Sequence, residues 1–260
     1  LACFEFANGL TGKNFNLSAE KQTLDNPFQI FPLGDSAATI DLGNAISKSL
    51  NAKARSMQQW MEDHPLDAVR DMITGYSSLS VLYDPVEVKK KYAPKGTAFE
   101  FIRERLIEAW NQSGDHPPRK NPDTIRIPVC YDEEFAPDLE LVAREKGISK
   151  EEVIQLHSER VYYIYMIGFL PGFSYMAEID DRLVISRKAN PVTVAAGSVG
   201  IAGRQTGIYP LLCPGGWQII GRTPLKLFDA HSMEPVKLKA GDEVRFYPIG
   251  KNEFRDYRQV

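Results

Sequence analysis

The apolar positions of this chain change period as it runs. Phe28–Leu33 and Ala37–Leu42 are two short apolar-rich runs separated by Gly34-Asp35-Ser36, and the pair predicts a β-hairpin. Ala45, Ile46, Leu50, Met57, Trp60 and Met61 then fall near a helical repeat, which predicts one or two helices ending before Pro65. Ser78–Tyr83 returns to alternation, the signature of a half-buried strand, and stops at Asp84-Pro85. Phe99, Ile102, Leu106 and Trp110 are spaced i, i+3, i+7, i+11, one face of an amphipathic helix. Strands interleaved with helices predict an α+β domain over residues 27–122, of ferredoxin-like α/β type.

On either side of this layer the pattern fades. Residues 1–26 are polar and broken by Gly9, Gly12, Asn14 and Asn16, so they read as an extension with at most a short strand at Phe4–Phe6. Residues 113–123 hold three prolines and a glycine and mark the expected boundary between domains. Beyond it, Thr124–Tyr131 predicts a strand. Asp138–Lys146 and Ser149–His157 predict two short helices, the second with Ser149 and Glu152 placed for a capping box. From Arg160 on, short β-rich runs alternate with Gly and Pro. Strands this short and numerous predict a closed β-barrel over residues 123–260, since closure removes exposed edges.

Composition narrows the class of protein. The chain has 260 residues, 43% hydrophobic and 25% charged, an ordinary globular balance. A net charge of −3 argues against nucleic acid as the main ligand, because phosphate binding wants a dense basic surface. Lys89-Lys90-Lys91 is the one basic block and reads as a solvated helix face. No apolar run is long enough to span a membrane, and the first residues do not read as a signal peptide, so the cytoplasm is the expected compartment. Cys3, Cys130 and Cys213 are too widely spaced for a disulfide framework or a zinc pair, and no histidines have metal spacing, so no metal site is expected.

Candidate chemistry gathers between residues 157 and 224. Pro171-Gly172, Gly197–Gly203, Gln205–Tyr209 and Pro214–Arg222 combine backbone freedom with polar side chains. Read plainly, they are barrel-corner punctuation; read functionally, they should converge on one mouth of the barrel. The Gly197–Gly203 run is neither a Walker loop nor a dinucleotide fingerprint, and no Gly-x-Ser-x-Gly elbow is present. His157 suits general acid or base work, or is a helix-terminal histidine favoured by the dipole. Arg222 can grip a carboxylate or phosphate, or brace the barrel in an ion pair. Lys188, Gln205, Thr206 and Tyr209 are candidate substrate-binding groups, with the Gln205 amide and Tyr209 phenol suited to a lactam. Arg222 and Gln205 are expected in a shared cleft with His157 at its rim. Trp217 and Phe173 read as core or interface anchors.

Several blocks carry a family resemblance. They are Gly168-Phe169-Leu170-Pro171-Gly172-Phe173-Ser174-Tyr175, Ala196-Gly197-Ser198-Val199-Gly200-Ile201-Ala202-Gly203, Gln205-Thr206-Gly207-Ile208-Tyr209-Pro210 and Pro214-Gly215-Gly216-Trp217-Gln218-Ile219-Ile220-Gly221-Arg222-Thr223. In order, they resemble the allophanate hydrolase subunit 1 family, also called the KipI family, which includes the B-type subunits of 5-oxoprolinase. The resemblance spans roughly residues 28–250 and implies a cyclophilin-like barrel behind the smaller α/β domain. It implies two partners, a C-type (KipA-like) 5-oxoprolinase subunit and a separate A-type one, with which the chain opens 5-oxoproline to glutamate at the expense of ATP. Catalytic roles for His157 and Arg222 would then be completed by the partners. Two other activities are implied by the same family: inhibition of a sensor histidine kinase, and the carboxyltransferase half of a biotin-dependent urea or amide carboxylase.

Overall fold

The computed structural model describes residues 27–114 and 124–257. The expected extension at 1–26 and most of the expected boundary segment lie outside the described residues.

The first layer runs β1 (Gln29–Pro32), β2 (Ala37–Asp41), α1 (Lys48–Asp63), β3 (Val69–Thr74), β4 (Ser78–Tyr83), α2 (Pro85–Tyr92) and α3 (Ala98–Gln112). The sheet order is β1-β2-β4-β3, with each neighbouring pair antiparallel. β2 and β3 therefore run parallel on either side of β4 and are joined by α1, the split β-α-β unit of a ferredoxin-like sheet. Its fourth strand comes from the N-terminal hairpin. The alternation of β4 is real: Leu79, Val81 and Tyr83 are buried, and Ser78, Ser80 and Leu82 are half-exposed. Ile102, Leu106 and Ala109 of α3 pack with Ala38 and Ile40 of β2 in one core. Thr97 and Glu100 form a reciprocal capping box that starts α3.

One strand of this layer escapes the sequence reading, and of α2 that reading gives only the solvated Lys89–Lys91 face. β3 begins with Val69-Arg70-Asp71, where a bulge interrupts the alternation. α2 follows Asp84-Pro85, which ends β4 and also starts a helix: Asp84 accepts the Val86 and Glu87 amides while proline takes the first helical position.

The second layer contains β5 (Ile125–Cys130), α4 (Leu139–Lys146), α5 (Lys150–Ser158), β6 (Val161–Ile167), β7 (Ser174–Ala177), β8 (Val192–Val194), β9 (Ser198–Ala202), β10 (Gln205–Ile208), β11 (Cys213–Gly215), β12 (Gln218–Arg222), β13 (Glu243–Ile249) and α6 (Lys251–Asp256). Seven strands close a barrel in the order β10-β7-β6-β13-β5-β12-β9, and β9–β10 pairing completes the ring. β13 runs parallel to β5 and antiparallel to β6. Ile164, Met176, Val199, Ile201, Ile208 and Phe246 fill the interior together with Leu139, Val142, Val153 and Leu156 from α4 and α5. The fold is thus α+β with a closed barrel, as the run of short strands predicts. Ser149 caps α5 by accepting the Glu152 amide, whereas the Glu152 carboxylate turns outward to Arg182, so only half of the expected capping box forms. Leu225–Leu227 and Val236–Leu238, two of the short β-rich runs expected as strands beyond Arg160, are not strands; a lone bridge joins Phe228 to Val236. Among the described residues, no helix is long and apolar enough to cross a membrane.

Candidate functional site

Side chains along a strand alternate between faces, and this rule sorts the candidate residues. On β10, Thr206 pairs with the interior residues Ile201 and Met176, so it points into the barrel. Gln205 pairs with Ala177 and Ala202 and lies on the outer face.

Inside, Thr206 and His157 belong to one buried chain of hydrogen bonds. The Thr206 hydroxyl donates to the Gly200 carbonyl at 3.1 Å, so its lone pair is left for His157 Nε2, 2.9 Å away. His157 Nδ1 then accepts the Tyr131 hydroxyl at 2.9 Å. The imidazole also stacks on Phe246, with ring centroids 4.6 Å apart. Burial pushes its pKa down to about 3, so desolvation outweighs any favour from the helix C-terminus and the ring is neutral. The structure therefore corrects the expectation of His157 at the rim of a cleft: it is fully enclosed.

Arg222 and Gln205 do not share a cleft either. Arg222 pairs with Ser198 at one end of β9 and Gln205 with Ala202 at the other, about 13 Å apart at the rise of a strand. Arg222 is half-buried, and its Nε donates to the Ala196 carbonyl at 2.7 Å. No carboxylate among the described residues pairs with it, so the alternative of a bracing ion pair is also not what the structure shows.

The glycine-rich segments have a clear physical use. Gly200 and Gly207 are cross-strand partners on the outer face. A methyl at Gly200 would meet Trp217 at 3.1 Å, and one at Gly207 would meet Phe173 and Trp217 at 3.0 Å. A methyl at Gly215 would meet the Tyr209 ring at 2.8 Å. The glycines form a floor on which Phe173, Tyr209 and Trp217 are seated. Tyr209, expected to face substrate, is almost fully buried in this layer, and burial pushes its hydroxyl up to about 12. The Gly197–Gly203 amides do not fit a phosphate cradle: Gly197 donates to Tyr209, Gly203 to Ile185, and Gly200 lies in the β9 ladder.

The aromatic layer continues toward the first domain. Tyr175 packs against Phe173 and Trp217, and Tyr76, from the β3–β4 turn, packs against both Tyr175 and Tyr165. Arg187 is exposed and lies over the Trp217 ring at 5.9 Å. Beside it, Lys188 Nζ meets the Asp138 carboxylate at 2.6 Å, both side chains being mostly enclosed. The same Asp138 oxygen accepts the Ile219 amide at 2.6 Å. So Lys188, Gln205 and Tyr209 belong to one outer region of the barrel, centred on Trp217, while Thr206 and His157 lie inside and Arg222 at the far end. Tyr76, Tyr165, Tyr175 and Asp138 complete the region and were not anticipated. Tyr163 and Tyr165 sit two apart on β6 and Tyr175 lies on the neighbouring β7, but nothing in the local sequence of Tyr76 joins it to them.

Neither of the described thiols, Cys130 and Cys213, is set up as a reactive centre. Burial raises the Cys130 thiol to about 11 and raises Cys213 as well, away from the thiolate that nucleophilic chemistry needs. No group of three or more metal-ligating side chains is found among the described residues.

Comparison with known proteins shows the family. The family described as "Carboxyltransferase domain, subdomain C and D" matches residues 28–238. The B subunit of 5-oxoprolinase from Bacillus subtilis (strain 168) is 40% identical over 239 residues, 89% of this chain and 97% of that protein. Its counterpart from Escherichia coli O157:H7 is 37% identical over 217 residues, 83% of this chain and 94% of that protein. Among solved structures, the protein TTHA0988 superposes with a TM-score of 0.70 at 32% identity, covering 82% of this chain; this chain spans 40% of its length. The chain belongs to the carboxyltransferase subdomain C and D family, among the relatives of the 5-oxoprolinase B subunits.

Proposed function

We propose that the chain works as the B-type subunit of an ATP-dependent 5-oxoprolinase, opening the lactam ring of 5-oxoproline to glutamate together with subunits of the C and A types in the cytoplasm. The observation that carries this reading is the 40% identity to the Bacillus subtilis 5-oxoprolinase B subunit across 97% of that protein. A lactam is a resonance-stabilised amide, and its hydrolysis needs the acyl oxygen activated; ATP supplies that activation in the assembled enzyme. The glycine-rich run of this chain does not fit a nucleotide, so the phosphate-binding groups are assigned to a partner. The role assigned to this chain is to hold and orient the lactam, which lowers the entropic part of the barrier. Lys188 and Gln205 on the outer face are the substrate contacts, Arg222 offers its free guanidinium edge to an anion, and His157 with Thr206 shapes the wall behind β10.

The test is co-expression with the C- and A-type subunits and measurement of ATP-dependent glutamate formation. The complex is expected to turn over and the isolated chain is not. Robust turnover by the chain alone, or none by the complex, overturns the reading. The family description favours one second reading, a carboxyltransferase half acting on an amide. Carboxylation of urea or a related amide by a biotin-loaded partner would identify it.

A further inference from the structure

Two buried polar atoms on the outer face of the barrel have no hydrogen-bond partner, Tyr76 Oη and Gln205 Oε1. They belong to different domains and border the same few side chains. Gln205 lies directly across from Ala177 and diagonal to Tyr175, whose own cross-strand partner is Gly207. Ala177 packs in one cluster with Tyr163, Tyr165 and Tyr76, and Tyr76 also meets Tyr175 at 6.5 Å between centroids. Leaving a buried polar group unpaired is costly, and native proteins seldom tolerate it without a use. Burial holds the Tyr76 hydroxyl well above its usual pKa, so it is a donor and not a phenolate. The Gln205 oxygen is an acceptor. The pair presents one donor and one acceptor at a junction lined by aromatic rings.

We propose that Tyr76 and Gln205 together recognise the edge of a cis amide, Tyr76 donating to its acyl oxygen and Gln205 accepting its N–H. In a small lactam ring the C=O and N–H point to the same side, whereas the ordinary trans amide points them apart. A donor and an acceptor brought to one amide edge would thus select a lactam over an acyclic secondary amide. Both atoms are closed off in the conformation described, so the ligand enters as the Tyr76 ring turns out from between Tyr165 and Tyr175. Exposed Arg187, over Trp217, lies beside that path and can pair with a carboxylate on the lactam. This rests on the 5-oxoprolinase reading for its choice of substrate class. It adds that the first domain supplies part of the site.

The experiment titrates 5-oxoproline and N-methyl-5-oxoproline into the chain co-purified with its partner subunits, following heat release, for wild type, Tyr76→Phe and Gln205→Met. Wild type is expected to bind 5-oxoproline saturably and the N-methyl compound at least tenfold more weakly. Each variant is expected to lose about tenfold or more in affinity for 5-oxoproline, the scale of a lost hydrogen bond in a closed site. Because each substitution removes an unpaired buried polar atom, melting temperatures should hold or rise. Unchanged binding in both variants, equal binding of the N-methyl compound, no saturable binding by wild type, or loss of affinity that tracks a fall in melting temperature would each overturn the proposal. Glutamate formation by the wild-type complex with both variants unaffected would sink the pocket and leave the 5-oxoprolinase reading standing. Lactam binding that both variants lose, in a complex that makes no glutamate, would do the reverse.

Discussion

Asn51 Oδ1 accepts the hydroxyl of Tyr163 at 3.0 Å, so a fully buried amide in α1 of the first domain is bonded to β6 of the barrel. Its Nδ2 faces the carbonyls of Tyr165 at 2.9 Å, Gly75 at 2.8 Å and Tyr76 at 3.2 Å. One side chain therefore ties the barrel, the helix and the turn that carries Tyr76. Replacing it with leucine keeps the size and removes every bond. Asn51→Leu is expected to lower unfolding stability by about 2–4 kcal/mol, read from denaturant midpoints, because several buried groups lose their partner together. Faster amide exchange in the Gly75–Ser78 turn should accompany it.

Gly207 is closed on three sides by the Ser174 carbonyl at 2.8 Å, Phe173 and Trp217, measured from the position a Cβ would take. Ser174 is cross-strand to Ile208, so the backbone cannot retreat without breaking the β7–β10 ladder. Gly207→Ala is expected to cost about 1–3 kcal/mol through overpacking and to shift the Trp217 fluorescence maximum. Thermal melts and emission spectra check both.

His157 gives the fold a signature in acid. Its folded pKa of about 3 lies below the unfolded value of about 6.5, so the unfolded chain binds the extra proton between those pH values. The contribution is fully present above pH about 6.5 and is lost as pH falls toward 3, at up to about 1.4 kcal/mol per pH unit. His157→Gln keeps hydrogen-bonding capacity and cannot titrate. Its stability should fall less steeply than wild type over that window, and parallel curves would show that the ring is not buried neutral.

Arg222 makes one bond to a backbone carbonyl and faces no carboxylate among the described residues. Arg222→Ala is accordingly expected to cost only about 1 kcal/mol of stability, the scale of a single hydrogen bond. If its free edge serves the assembled enzyme, turnover by the complex should fall by tenfold or more while the melting temperature barely moves. A large loss of stability with proportionate loss of activity would make it a bracing residue after all.

Much of this architecture was legible in the chain. Ser78–Tyr83 and the Phe99–Trp110 helix come out where their periods put them, because each buries one face against a single core. β3 was hidden by its bulge and by the charged pair Arg70-Asp71. The site was harder for a reason of geometry. Gln205 and Thr206 look alike in sequence as polar neighbours beside a glycine, yet one residue of offset sends them to opposite sides of a barrel wall. His157 was misplaced at a rim because the last turn of a helix is usually wet; here the helix ends over the barrel interior. Tyr76 could not be found at all, since its neighbours Tyr165 and Tyr175 come from the other domain.

The parallel seam between β5 and β13 sets the order in which the molecule can be built. Ile125 pairs with Val244, partners roughly 120 residues apart, and β13 also supplies the neighbour of β6. The wall of the barrel thus stays open until β13 has left the ribosome. The first domain has no such debt, since β1 to β4 and their helices complete a core among themselves. It is expected to condense early in synthesis, while β5 and β6 each wait with one unpaired edge until β13 arrives, the interval in which a partner or chaperone would do most to prevent misassociation.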